Sequence, residues 1–173
     1  MKHEQIKTLV ITALFIALTC VATIVIQIPS PMSGYVNLGD CLVLLSAWLL
    51  GPWYGAAAAG LGSALADILT SYAHYAPGTL VIKAAMALAA ALIFQAAKKK
   101  GANSLVPQVI GGIAAEIIMI IGYFGYAALL LGKGLAAAAS IPGNIVQGIF
   151  GILAAVLLAQ ILEKSHALSR LNV

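Results

Sequence analysis

Long apolar runs, each closed by a short break, dominate this 173-residue chain. A helix needs about 20 apolar residues to cross the hydrocarbon core, where the backbone can satisfy its hydrogen bonds only internally. Runs over 8–28, 53–71, 79–97, 105–131 and 140–162 approach or reach that length. A further run, 41–50, is short and ends at Gly51-Pro52. All six prolines fall at the breaks, where a ring that removes an N–H donor ends a helix. Hydrophobic residues make up 62% of the chain and charged residues 8%, too little polar surface for a soluble domain. The expected fold is all-α: a polytopic membrane protein with six transmembrane helices in one compact bundle over residues 1–173, both termini cytoplasmic. The short run can instead form one half of a helical hairpin with 53–71, pivoting on Gly51-Pro52.

The net charge of +4 resides in short flanks of the spans, where bases set topology. With the N-terminus inside, the inner flanks hold Lys2, Lys7, Lys98, Lys99, Lys100, Lys164 and Arg170, and the outer loops hold only Lys133. Loops 29–40 and 72–78 then face outward. The aromatic–basic interleaving of a single-strand nucleic-acid binder is absent. The N-terminus starts like a signal peptide. However, the apolar stretch 13–28 is long for one, and no small-x-small cleavage site leads into a polar chain, so it reads as a retained first span. Cys20 and Cys41 read as small hydrophobes in or beside apolar runs. There is no metal-ligand spacing, no phosphate-binding glycine loop and no His-Glu-x-x-His motif, and Ser63 has no histidine base within the membrane. The chain is expected to hold no cofactor or metal, to lack an ATP site and not to be an enzyme.

Most polar residues inside the runs fall at one depth. Asp40, Asp67, Lys83, Tyr123, Asn144 and Gln147 converge on the outer half, with Glu116 nearer the midplane. Ionisable groups in a membrane usually face the bundle interior and mark a ligand or ion path. Asp67 and Lys83, each roughly 6 Å below the outer end, suit an ion pair joining the third and fourth spans, one of them also orienting a ligand. Asp40 precedes an apolar run and suits a helix N-cap. Glu116 has no Lys or Arg at its depth, so it is protonated, bonded to another span or facing ligand. Asn144 and Gln147 share a helix face and can read donor and acceptor edges of a heteroaromatic solute, or bond between helices. Tyr35, Tyr72, Tyr75 and Tyr123 can stack on a flat ring. The interfacial aromatic belt is the alternative, and it suits Tyr72 and Tyr75 best. Small-residue stripes, Ala13/Ala17 and Ala56/Gly60/Ser63, allow close helix approach within the bundle or against a partner.

These segments carry a resemblance. Tyr35-Val-Asn-Leu-Gly-Asp40, Gly51-Pro52-x-x-Gly55, Gly62-Ser-Ala-Leu-Ala-Asp67, Tyr75-Ala-Pro-Gly-Thr79 with Lys83, and Ile141-Pro-Gly-Asn-Ile-Val-Gln147 together resemble the S component of an energy-coupling factor (ECF) vitamin transporter. The likeness covers nearly the whole chain and is strongest to the small branch associated with riboflavin, pyridoxine or hydroxymethylpyrimidine. It implies a six-helix subunit of the bacterial plasma membrane that captures a water-soluble vitamin from outside. Such a subunit docks on a transmembrane coupling subunit and two cytoplasmic ATPases, and topples to carry its site inward. The resemblance further implies that Ala13 and Ala17 contact the coupling subunit and that loop 29–40 covers the ligand. The expected site comprises Tyr35, Asn37, Asp40, Asp67, Tyr75, Lys83, Glu116, Tyr123, Asn144 and Gln147. With many alanines and few aromatics, the chain suits a small ring, pyridoxine (vitamin B6) first. Riboflavin, pantothenate, an autonomous ion-coupled carrier or channel, and a scaffold protein are the other readings.

Overall fold

A computed structural model of the chain describes residues 3–30 and 34–165. The expected inner-flank bases Lys2 and Arg170, and Pro31 and Ser33 of the outer loop, lie outside the described residues. Helix α1 (His3–Val25) leads into strands β1 (Gln27–Ser30) and β2 (Gly34–Asn37), followed by α2 (Gly39–Leu69), α3 (Ala76–Lys99), α4 (Leu105–Gly125) and α5 (Ile141–Lys164). A π-helical turn, Tyr126–Leu130, extends α4, and a 3-10 helix, Gly134–Ser140, precedes α5.

Five helical segments are long and apolar enough to cross a membrane. The expected second and third spans are both contained in α2, which is 31 residues long and has one non-helical residue, Gly51, at φ 78° and ψ −175°. The chain reverses there. Ser46 Oγ donates to the Gly55 carbonyl at 3.3 Å, although nine residues of straight helix would separate them by about 13.5 Å. Gly51 supplies the left-handed φ, and Pro52 disfavours a helical conformation in the residue before it. Gly55 lets the arms touch, since a Cβ there would fall 2.8 Å from Ala47 Cα. The first arm, 39–50, is only about 18 Å long. The alternative of a helical hairpin on Gly51-Pro52 is therefore the arrangement found, in place of six separate full-length helices.

The same contacts order the bundle along its axis. Thr23 near the end of α1, Thr79 near the start of α3 and Asn144 near the start of α5 line one cavity. Gln108 near the start of α4 bonds Gln160 near the end of α5 at 2.9 Å, and Lys98 bonds Ser104 at 3.2 Å, at the opposite end. The starts of α1 and α3's basic end therefore lie with the end of α5, away from the cavity. Lys7, Lys98, Lys99, Lys100 and Lys164 collect at that far end, and Lys133 lies at the cavity end.

Segment 29–40, expected to be a loop, contains part of an antiparallel hairpin, registered from Gln27↔Asn37 to Ser30↔Gly34. Helix α3 begins at Ala76, earlier than expected, because Pro77 sits in the first turn, where its missing N–H costs nothing. The core lies between the arms of α2 and helices α3 to α5, around Val43, Leu44, Met86, Ala87 and Met119. Small residues make these approaches possible: a Cβ on Gly60 would fall 2.7 Å from the Leu80 carbonyl. Gly60 of the stripe Ala56/Gly60/Ser63 thus packs against α3, whereas Ser63 faces a cavity. The outer faces are apolar, with Val10, Leu14, Ile121, Leu153 and Leu157 all exposed. A helix set apolar on both faces belongs in lipid.

Two glycine variants test the folded-back α2, with Gly125→Ala at the end of α4 as the control. Gly55→Ala should destabilise by about 1–3 kcal/mol through overpacking of backbone on backbone. Gly51→Ala should cost about 1–3 kcal/mol through its backbone conformation alone. Gly125→Ala meets nothing within 4 Å and should leave the melting temperature in detergent unchanged or slightly raised. Equal melting of Gly55→Ala and wild type would mean that the two arms do not pack.

Candidate functional site

A cavity opens at the end of the bundle that holds the hairpin, with about 530 Å³ of free space counting its mouth. Every helix contributes to its walls. Thr23 comes from α1, Ser30, Tyr35 and Asn37 from the hairpin, Ser63 and Asp67 from the second arm of α2, and Tyr75, Thr79 and Lys83 from α3 and the turn before it. Tyr123 of α4, Ser140 just before α5 and Asn144 in its first turn complete the ring. Of the ten residues expected at the site, seven line this cavity: Tyr35, Asn37, Asp67, Tyr75, Lys83, Tyr123 and Asn144.

Asp40 and Gln147 lie in its floor. The Lys83 ammonium is ion-paired with Asp40 Oδ1, both side chains being almost wholly buried, and it also meets the Met119 sulfur at 3.2 Å. Gln147 Nε2 donates to Asp40 Oδ2 at 2.6 Å, and its Oε1 accepts the Asn37 backbone N–H at 2.8 Å. Asn37 Oδ1 in turn accepts the Gly39 N–H at 2.7 Å. This corrects two expectations. Asp40 is not an N-cap, because Leu38 occupies that position and the Asp40 side chain turns inward to neutralise Lys83. Asp67 does not pair with Lys83; its Oδ1 accepts the Tyr35 hydroxyl at 2.5 Å. Burial, and then the Asp67 carboxylate, push the Tyr35 phenol well above its usual range, so it remains a donor.

Glu116 lies outside the cavity wall, beside the floor. Glycines make room for it: a Cβ on Gly148 would fall 2.9 Å from Glu116 Oε2, and one on Gly151 would fall 2.8 Å from Asp40 Cβ and 3.6 Å from Glu116 Oε1. The sequence offered Glu116 no cation at its depth. The fold brings it next to the Asp40–Lys83 pair, yet neither of its oxygens has a hydrogen-bond partner among the described residues.

Aromatic rings flank the cavity. Tyr35 and Tyr72 meet at 4.4 Å between centroids with their planes tilted by 50°, and Tyr75 meets Tyr123 at 6.2 Å, edge to face. Lys83 Nζ lies 5.6 Å from the Tyr123 centroid, and the Tyr123 hydroxyl donates to Thr79 Oγ1 at 3.0 Å. Tyr75, which suited an interfacial belt, is buried and faces inward. The few tyrosines of the chain are therefore concentrated at the site. Thr23, Ser30, Ser63, Thr79 and Ser140 also line it and were not expected there. A hydroxyl in an apolar run carries little signal, because it normally bonds back to its own helix, as Thr23 does to the Thr19 carbonyl at 2.7 Å. Ala13 and Ala17 lie far from the site in another sense: both are exposed on the outer face of α1, so this stripe does not pack within the bundle. The described residues contain no cluster of metal-ligating side chains.

Comparison with known proteins adds a family to this geometry. Residues 3–164 match the family described as ECF-type riboflavin transporter, S component. A protein of Lactococcus lactis subsp. cremoris called thiamine precursor transporter HmpT is 28% identical over 171 residues, covering 98% of this chain and 95% of its own. An uncharacterised Pyrococcus woesei protein is 37% identical over 145 residues, covering 83% of this chain and 93% of its own. A solved S component of a bacterial ECF transporter superposes with a TM-score of 0.72 at 25% identity, over 92% of this chain and 97% of that one.

The buried pair makes a stability prediction. Lys83→Met leaves Asp40 uncompensated and should cost about 3–5 kcal/mol, whereas Lys83→Met combined with Asp40→Leu should recover much of that loss. Chemical denaturation in mixed micelles measures both. A double variant as unstable as the single one would show that the two side chains do not neutralise each other.

Proposed function

The chain belongs to the family of S components of ECF-type riboflavin transporters, and from that premise we propose that its cavity captures a single-ring, nitrogen-containing vitamin precursor from outside the cell. As a family member it is a multi-pass membrane protein and a substrate-binding subunit, not an enzyme. A thiamine precursor is the preferred substrate. The observation that carries this reading is the cavity itself: polar and aromatic side chains from all five helices and the hairpin converge on one chamber. Tyr35, Tyr75 and Tyr123 offer stacking faces, while Asn37, Asn144 and the serines offer hydrogen bonds at the ring edge. The relative named for thiamine-precursor transport, aligned over nearly the whole chain, favours that class. Pyridoxine, the substrate expected from sequence, is a ring of the same size and is the nearest competitor. Riboflavin's three fused rings need a longer slot.

In this reading the cavity end faces outward and the basic end, with both termini, faces the cytoplasm, in keeping with the bias of Lys and Arg toward inner flanks. Energy comes from partners: a transmembrane coupling subunit and two ATPases, docked through the exposed face of α1 that carries Ala13 and Ala17. The hairpin β1–β2 forms part of the chamber's cover, and its last residue is tied to the floor through Gln147.

Native mass spectrometry of freshly purified protein should release a small heteroaromatic molecule. Calorimetry with a panel of thiamine precursors, pyridoxine and riboflavin should rank the single-ring compounds first. Asn144→Ala should weaken binding by about 1–3 kcal/mol through an unpaired ligand group. Ala13→Trp should leave binding intact and abolish uptake in cells that hold the ATPase partners. Retention of no small molecule together with no binding across the panel would end the capture reading. Uptake by the protein alone in liposomes, driven only by a proton gradient, would replace it with an autonomous carrier.

A further inference from the structure

We infer that Asp67, flanked by Ser63 and Ser30, is the anchor for an amino group conjugated to a ring nitrogen, so that the site selects an amidine-type edge such as that of an aminopyrimidine. This rests on the capture reading and narrows it to a recognition chemistry.

Three orphaned atoms point to it. Asp67 Oδ2, Ser63 Oγ and Ser30 Oγ are each buried without a hydrogen-bond partner among the described residues. All three residues line the same cavity. Buried polar atoms in folded proteins are nearly always paired, so a group of unpaired ones around one chamber marks partners that a bound molecule supplies. The serines are not orphaned by default. Thr8, Thr12, Thr23 and Thr70 bond back to their own helices, and Ser46 does so while bridging to the other arm of α2. Ser63 precedes Asp67 by four residues, one helical turn, so both present to the same face.

The chemistry of the three atoms defines the ligand. Asp67 Oδ1 is occupied by the Tyr35 hydroxyl, and the Thr79 hydroxyl lies close to the carboxyl, but Oδ2 has no well-formed hydrogen bond among the described residues and can accept an N–H or O–H. Lys83 makes no hydrogen bond to it; its ammonium is directed to Asp40 and the Met119 sulfur. A serine hydroxyl both donates and accepts, so Ser63 can donate to a ring nitrogen beside the amino group that Asp67 receives. An exocyclic N–H next to a ring nitrogen matches that order of acceptor then donor. The tyrosines around the chamber supply faces for the ring. A site built to pair with a polar group discriminates strongly against an analogue that lacks it, because the buried partners are left unpaired.

The test uses full-length protein in detergent, freed of co-purified solute, and isothermal titration calorimetry with three probes. These are 4-amino-5-hydroxymethyl-2-methylpyrimidine, its 4-desamino analogue and pyridoxine. The amino probe should bind about 100-fold more tightly than the desamino probe. Asp67→Asn should shrink that gap to less than about 3-fold, and Ser63→Ala should weaken the amino probe about 10-fold. Unliganded melting curves show that each variant is folded; Asn at 67 retains an oxygen for Tyr35, and Ser63→Ala supplies an independent reading if Asp67→Asn does not fold. Equal affinity for the two pyrimidines, or a preference that survives in both variants, overturns the anchor while leaving solute capture standing. Binding of pyridoxine alone does the same. Failure of all three probes with no co-purified solute overturns both.

Discussion

The ion pair between Lys83 and Asp40 is the constraint around which the bundle is arranged. Two full charges buried among apolar helices are tolerated only with good mutual geometry and with their remaining hydrogen-bonding capacity satisfied. Here the second Asp40 oxygen is taken by the Gln147 amide, and Gln147's own carbonyl accepts the Asn37 N–H. One buried pair thereby joins α2, α3, α5 and the second strand of the hairpin. The pair also dictates small residues nearby. A Cβ on Gly148 would run into the Glu116 side chain, and one on Gly151 into Asp40 Cβ. The folded-back α2 follows from the same requirement: only a reversal near Gly51 brings Asp40 and Asp67, 27 residues apart in sequence, to one end of the molecule.

The polar floor and the chamber above it have different electrostatic characters. In the floor, Lys83 is matched by Asp40, with Glu116 as a second carboxyl alongside. In the wall, Asp67 has one oxygen held by Tyr35 and one bare. This division separates the groups that hold the helices together from those free to meet a solute. It also places the hairpin in both roles. Tyr35 positions Asp67 from above, and Asn37 grips Gln147 below, so the hairpin cannot lift without breaking hydrogen bonds to α2 and α5 alike.

Much of this was legible in the order of residues, and the parts that were not have physical causes. Apolar run length revealed the crossings, and depth along each run gathered Asp67, Lys83, Tyr123 and Asn144 at one level, where the structure also has them. Depth is a single coordinate, however, and pairing depends on rotation about each helix axis. Asp40 and Asp67 lie at similar depth, so depth alone could not decide which of them receives Lys83. Glu116 shows the same limit, because the four-carbon stem of Lys83 places its charge away from its own backbone level. The hairpin was missed for another reason. Pro29 reads as a breaker, yet proline is compatible with an edge strand at a position that needs no N–H donor for the ladder. Ser30 and Ser63 gave no signal in the sequence, since only their missing back-bonds, visible in three dimensions, set them apart from Thr23 and Ser140.

Helix α1 shows how one element can serve two surfaces without confusing them. Its inner face carries Thr12, Thr19 and Thr23, all buried, with Thr23 reaching the cavity wall. Its outer face carries Ala13 and Ala17 between the exposed side chains of Val10, Leu14 and Val21. Alanines between larger apolar residues leave a shallow groove in which another helix can approach closely. In a bilayer such association gains little from hydrophobic burial, since lipid is as apolar as the helix, and depends on packing and close backbone approach. The buried and exposed faces of this one helix are thus separate: bulk added at Ala13 or Ala17 extends the outer face and touches no group that lines the chamber.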